Sequence, residues 1–252
     1  MPVTTFETLV AAAWEQDFSG WDFRHLSGRW VASSLSWDYR QIVLDRMRGS
    51  LSMLDMGTGG GEFLATLQPF PPAVYATECY PPNIPIAKAR LEPLGVTVYG
   101  LPDEDHLPFA DNSLELVINR HESYVAGEVR RILKPGHSFV TQQVGGQNML
   151  ELNQHLQDEV EFIYSDWTLA YAVDELERAG FQVIDPREEY PVTAFKDIGA
   201  VVYYLKVISW QVEGFTPERY MAKLADIQRI IQETGQFICR EHRFLIEAVK
   251  PA

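Results

Sequence analysis

The sequence predicts an α/β fold built on a mostly parallel sheet, and three observations carry that expectation. From Leu51 onward, short β-rich runs alternate with helix-like runs. The first of those runs, LSMLDM, ends directly in a glycine turn, GTGGG, and then in EFLATL, so it reads as strand, turn and helix. Finally, 252 residues, 46% of them apolar, suffice for one large core. Strands separated by helices need right-handed crossovers, which place helices on both faces of a parallel sheet. With no internal repeat or Pro/Ser-rich linker, a single domain over residues 1–252 is expected.

Taken in order, residues 1–50 read as a helical cap, with TFETLVAAAWEQ and DYRQIVLDRMR separated by the Gly- and Trp-bearing WDFRHLSGRW, and no strand is expected there. Residues 51–145 form the core. VYATE is a strand, NIPIAKARLEPLG a helix stopped at Gly95, and VTVYG, LELVIN and SFVTQQV are further strands. EVRRILKPG divides the last two as a helix ended by Lys134, Pro135 and Gly136. Residues 146–252 complete the sheet and add helices. Ser165 is a candidate cap for a helix carrying Leu169, Val173 and Leu176, with FQVIDPREEY as the strand behind it. In DIGAVVYYLKVISW, Val201, Tyr204, Leu205 and Ile208 recur at the spacing of an amphipathic helix. Thr216 and Pro217 open another helix, with Tyr220, Leu224, Ile227 and Ile231 on one side and Gly235 at its end. CREHRFLIEAVK reads as one last strand.

Charge and composition narrow the function. The chain carries 35 acidic against 21 basic side chains, a formal charge of −14. That balance disfavours a long phosphate-binding surface, because nucleic-acid affinity comes mostly from Lys and Arg displacing counterions. Cys79 and Cys239 are far apart and in no C-x-x-C spacing, so two buried free thiols are expected rather than a disulfide framework or a cysteine metal site. The histidines show no metal-ligand spacing, and no metal is expected. No run approaches the roughly 20 apolar residues that span a bilayer, and MPVTTFETLV lacks the features of a secretion signal, so a cytoplasmic protein without membrane contact is expected.

The most informative stretch is Leu54-Asp55-Met56-Gly57-Thr58-Gly59-Gly60-Gly61-Glu62, at the strand-to-helix junction where an open α/β sheet places its ligand. A dinucleotide loop needs G-x-G-x-x-G, but Glu62 stands three beyond Gly59 and Leu64 three beyond Gly61. A P-loop fails too, because no G-K-[ST] follows. An acidic Glu62 at the helix start would repel a pyrophosphate. The loop therefore suits a ligand without phosphates.

LDMGTGGGEFL resembles the first motif of class I S-adenosylmethionine-dependent methyltransferases, and the next segments are similar in order and spacing over roughly residues 51–144. The resemblance implies a Rossmann-like seven-stranded sheet with an N-terminal helical cap and a helical lid insertion between the last two strands. It implies S-adenosyl-L-methionine as cofactor and methyl transfer to an O, N or C nucleophile by in-line displacement. Asp55, Gly57, Thr58, Gly59 and Gly61 are then the cofactor loop, Glu78 the acceptor for the ribose diol, Asp103 with Glu104 the adenine contacts, and Asn119 and Arg120 further cofactor contacts. PDEDHLPFADNSLELVIN and EVRRILKPGHSFV resemble the later motifs, with His137 where a second glycine is usual and Leu114-Glu115 in place of Phe-Asp. No Asn-Pro-Pro-Tyr follows the fourth strand of the motif series, which turns the expectation away from planar amide or base amine acceptors.

His121, just past that strand, is the candidate general base, against the alternative that it bonds within the loop or frames the cofactor. Asp55 could alternatively cap a turn, Glu78 a helix, and Asp103 could sit in a solvated loop. Trp37, Tyr39, Tyr124, Tyr203 and Trp210 are candidates for the acceptor pocket, against the alternative of ordinary core. A small-molecule acceptor is expected from the acidic balance and the aromatic candidates. The alternatives are an RNA or protein methyltransferase and a protein that binds the cofactor without transfer.

Overall fold

Strand residues point alternately to opposite faces, so a strand that is apolar at consecutive positions must be covered on both sides. The structure, a computed structural model, describes residues 5–18, 23–103, 105–160 and 164–252. It opens with α1 (Phe6–Glu15), capped by Thr5, then β1 (Trp30–Ala32) and α2 (Tyr39–Met47), whose Asp38 cap accepts from the Gln41 N–H. β2 (Ser52–Met56), α3 (Glu62–Ala65), β3 (Ala73–Glu78), α4 (Ile84–Leu91) and β4 (Thr97–Gly100) follow. Next come β5 (Leu114–Arg120), α5 (Ala126–Ile132), β6 (Leu133–Val144), α6 (Leu150–Leu156), α7 (Leu169–Arg178) and β7 (Gln182–Glu189). The chain ends with β8 (Val192–Phe195), α8 (Ile198–Val207), α9 (Pro217–Thr234), β9 (Phe237–Arg240) and β10 (Arg243–Val249).

The seven-stranded sheet has the order β4-β3-β2-β5-β6-β10-β7, parallel except for β10, which is antiparallel to both neighbours. Met53, Ile118, Val140 and Leu245 pack on one face beneath α2 and α4. Leu54, Val117, Phe139, Phe244 and Ile246 pack on the other beneath α5 and α7. Strand order reverses between β2 and β5, so the loops leaving their carboxyl ends part there and open the crevice where open α/β sheets bind ligands. No helix among the described residues is long and apolar enough to cross a membrane.

A second core lies beside the sheet, where Val10 and Ala13 of α1 meet α6, α8 and α9. The segment between β7 and β10 holds α8 and α9 as expected, but it also holds β8 and β9, which join β1 in a separate antiparallel sheet of order β1-β8-β9. Several expectations are corrected here. The N-terminal region contains a strand, because Trp30 pairs across from Phe195 and gains its partners from a segment more than 160 residues away. CREHRFLIEAVK is two strands in different sheets, broken at Glu241 and His242. The α7 cap is Thr168, which accepts from the Tyr171 N–H, rather than Ser165. α8 is not amphipathic, since all its residues except Lys206 are buried between α1, α9 and the small sheet. Cys239 is buried as expected, whereas Cys79 is only half-buried.

Candidate functional site

The crevice is lined first by the loop leaving β2. Gly57, Gly59 and Gly61 all have left-handed backbone (φ +63°, +64° and +79°), which costs an L residue about 1–2 kcal/mol. A Cβ on Gly57 would fall on the side chain of Glu122, which reaches over from the loop after β5. Thr58 ties the loop at two points: its N–H donates to the Thr77 carbonyl (2.9 Å) and its hydroxyl to Asp55 Oδ2 (2.8 Å).

Two carboxylates stand at the tips of β2 and β3. Burial pushes the Asp55 carboxyl up to about 7; the Thr58 hydrogen bond and the Arg120 charge oppose this, and Glu78 reinforces it. Glu78 is raised for the same first reason, while the backbone N–H groups of Tyr80, Gly59 and Cys79 hold its charge and pull the other way. The Tyr80 N–H lies 2.7 Å from Glu78 Oε1. Next in the chain, Asn83 is fully buried, and among the described residues neither of its amide atoms nor Thr77 Oγ1 has a hydrogen-bond partner. Such groups are costly unless a ligand or water meets them. Sequence reasoning missed Asn83, whose position at the start of α4 reads as an ordinary cap.

At the tip of β5, Asn119 is fully buried and its side chain is occupied. Its Oδ1 accepts from Thr141 Oγ1 (3.0 Å) and Gln143 Nε2 (2.6 Å), and its Nδ2 donates to the Ser123 carbonyl (3.3 Å). Tyr39 donates its hydroxyl to the Asn119 carbonyl (2.9 Å). Arg120 lies over the Phe63 ring, 4.9 Å from its centroid. His121 has φ +62° and its N–H donates to the Gln142 carbonyl (2.8 Å). Arg120 and His121 are exposed yet closely surrounded by protein, so they line an open cleft. Burial and the charges of Arg243 and Arg120 hold the His121 imidazole well below its ordinary value.

The His121 ring is oriented from across the sheet. Trp37 Nε1 donates to Gln142 Oε1 (2.9 Å), and Gln142 Nε2 lies 2.9 Å from His121 Nε2. An indole N–H can only donate, so the amide oxygen must face Trp37 and the amide N–H must face the imidazole. His121 Nε2 is therefore an acceptor, the ring is neutral, and its proton is on Nδ1. The base expected at His121 has its one lone pair engaged by Gln142. Gln142 was not singled out in the sequence, since nothing local marks it.

The remaining candidates are dispersed. Trp37 and Tyr39 join the crevice through Gln142 and Asn119. Tyr124 is on the opposite face, edge-on to Phe139 (5.0 Å) and Trp167 (5.9 Å), with its buried hydroxyl unpartnered among the described residues. Tyr203 is buried in the second core, its ring 4.5 Å from His25, and Trp210 is exposed beyond α8. Asp103 is exposed on the loop after β4 and accepts from the Asp105 N–H (3.1 Å). Glu104 lies outside the described residues. That loop is held by Glu128, which accepts from the Leu107 N–H (2.7 Å), and by Arg131, which bonds the carbonyls of Leu107 and Phe109.

A glycine-cornered loop at the switch point of a parallel sheet, with a buried carboxylate at each of two adjacent strand tips, is the arrangement of a Rossmann-like fold. Residues 54–141 match the family model described as a methyltransferase domain. That stretch is a methyltransferase domain, which makes the chain an enzyme with S-adenosyl-L-methionine as its cofactor. No curated protein matches the chain. Among solved structures, it is similar to a Bacillus halodurans protein provisionally assigned as a methyltransferase (TM-score 0.63, 19% identity, 85% of this chain and 99% of that one). It is similar also to an S-adenosylmethionine-dependent methyltransferase of Aquifex aeolicus (0.52, 15%, 91% and 94%). A third is a Galdieria sulphuraria protein provisionally assigned as a sarcosine dimethylglycine methyltransferase (0.52, 16%, 84% and 82%). The residues present fit the cofactor. Its cationic sulfonium and ammonium suit a rim holding Asp55, Glu78 and Glu122, and the orphaned Asn83 amide offers both a donor and an acceptor.

Proposed function

We propose that this enzyme methylates a small molecule presented at the tips of β5 and β6. The observation that supports this reading is a strap of chain across the acceptor side of the crevice. Residues 33–38 run from the small sheet, where the Ser33 N–H donates to the Val192 carbonyl (2.8 Å), over the carboxyl ends of the large sheet. The Ser36 N–H and hydroxyl bond Glu189 at the end of β7, and Trp37 bonds Gln142 on β6. A cleft roofed in this way admits a small acceptor more readily than a folded polymer, and the charge of −14 argues the same way.

Bound in the crevice, the cofactor supplies an electrophilic methyl group on a sulfonium. The chain contributes binding, alignment and dryness. Asp55, Thr58, Gly57, Gly59, Gly61 and Glu78 hold the cofactor, with Asp103 and Glu104 assigned to its adenine. Arg120, read from the sequence as a cofactor contact, is assigned here with His121 to the acceptor instead, and Phe63 and Trp37 keep water from the line of attack. Incubation with methyl-labelled cofactor and cell extract, before and after nuclease or protease treatment, tests this. Label that persists in a small-molecule fraction supports the reading; label lost with RNA or protein overturns it.

A further inference from the structure

Arg29, Arg46, Arg90, Arg131, Arg187 and Arg243 each meet a carboxylate. Arg120 does not: among the described residues its guanidinium has the Phe63 ring beneath it and no hydrogen bond or ion pair. Its neighbour His121 presents a Nδ1–H that also has no partner among the described residues, because only Nε2 is taken by Gln142. Strand register places the two on one side of the crevice. Arg120 pairs with Gln142, Gln142 with Leu245, and Val144 with Arg243, so the ends of β5, β6 and β10 lie together. Arg243 is saturated by Glu241 (2.7 Å) and Asn148 (2.6 Å) and adds only its field.

We propose that Arg120 and the Nδ1–H of His121 form the recognition site for an anionic oxygen group, carboxylate or phosphate, on the methyl acceptor. Trp37 and Gln142 are positioning residues that fix the donor tautomer. This inference rests on the small-molecule reading above. An imidazole that donates hydrogen through Nδ1 orients an anion; it takes no proton from it. Arg120 is exposed and feels the Asp55 charge without bonding it, so its donors stay open to an incoming anion. The cradle of Asp55 and Glu78 lies on the β3 side of the switch point, whereas His121 is turned toward β6, so the anion site belongs to the acceptor side.

Three arms test it. A metabolite extract is separated into anionic, neutral and cationic pools, each offered to the enzyme with methyl-labelled cofactor. Transfer from the anionic pool is expected, and prior phosphatase treatment tells phosphate from carboxylate. Transfer from the neutral or cationic pool overturns the inference while leaving the small-molecule reading intact; label confined to nuclease- or protease-sensitive material removes that reading and this inference with it. In the second arm, Arg120→Gln is expected to raise KM for the active anionic pool by about 10- to 100-fold, the worth of a bidentate charged contact. Calorimetric affinity for S-adenosylhomocysteine, which also reports folding, should stay within about threefold because that charged contact is not made to the cofactor. A parallel loss of affinity that vanishes with a decarboxylated cofactor analogue would show instead that Arg120 holds the cofactor's own carboxylate. Third, nitrogen-15 spectra of labelled histidine should show His121 as the Nδ1–H tautomer in the parent and lose that signature in Gln142→Leu. An Nε2–H tautomer in the parent overturns the positioning role.

Discussion

The two halves of the crevice are built from the same element, the tip of a parallel strand, and carry opposite chemistry. On the β2 and β3 side stand Asp55 and Glu78, with Glu122 leaning over Gly57. On the β5 and β6 side stand Arg120, a neutral His121 and, one strand further, Arg243. Burial raises the Asp55 and Glu78 carboxyls in the first half and lowers the His121 imidazole in the second, while the Arg120 guanidinium keeps its charge. In the proposed reaction this contrast sets a cationic methyl donor apart from an anionic acceptor within one rim.

The largest expected way to break the contrast is at Asp55. With its folded value at about 7 against an ordinary 3.8, the folded state keeps a proton that the unfolded chain has released. Stability from this group is therefore present below pH 4 and lost as pH rises to about 7, by about 4 kcal/mol over roughly three pKa units. Asp55→Asn removes that slope. Denaturant midpoints of parent and variant from pH 4 to 8 should converge at the acid end and diverge above it; parallel curves would count against the buried carboxyl.

Next in size is Glu78→Ala, which removes charge-assisted contacts and should weaken S-adenosylhomocysteine by about 100-fold or more in calorimetry. A loss below about tenfold would take the ribose role away from this carboxylate. Gly57→Ala should cost about 1–2 kcal/mol through its positive φ. It should also displace Glu122, so the melting temperature and cofactor affinity fall together; an unchanged affinity would separate Glu122 from the acidic half. Smallest is Trp37→Phe, which leaves Gln142 Oε1 without its donor and should cost about 1 kcal/mol in urea unfolding. If the His121 tautomer survives that change, the cationic half is ordered by something other than Trp37.

Much of the large sheet was legible in the chain because its signals are local. GTGGG after LSMLDM, Gly95, the Thr216-Pro217 start and the Gly235 stop of α9 each state a backbone requirement within a few residues. β1 was not legible: three residues in an aromatic stretch become a strand only because Thr193, Ala194 and Phe195 lie alongside them. The break between β9 and β10 was hidden for the same reason, since both halves carry β-type residues and only their partners differ. α8 showed helical spacing, yet its whole circumference is buried because α1 arrives from the other end of the chain.

The sequence by itself determined the alternation of strand and helix, a phosphate-free glycine loop between acidic residues, and the family resemblance, all properties of neighbours along the chain. Tertiary structure decided the chemistry of the site. The pairing of Trp37 with Gln142, 105 residues apart, sets the His121 tautomer. Burial sets the proton affinity of Asp55, and strand register sets Arg120, without an ion pair among the described residues, beside His121. Proton affinity and hydrogen-bond direction depend on desolvation and on partners brought from distant segments, and neither is written in local order.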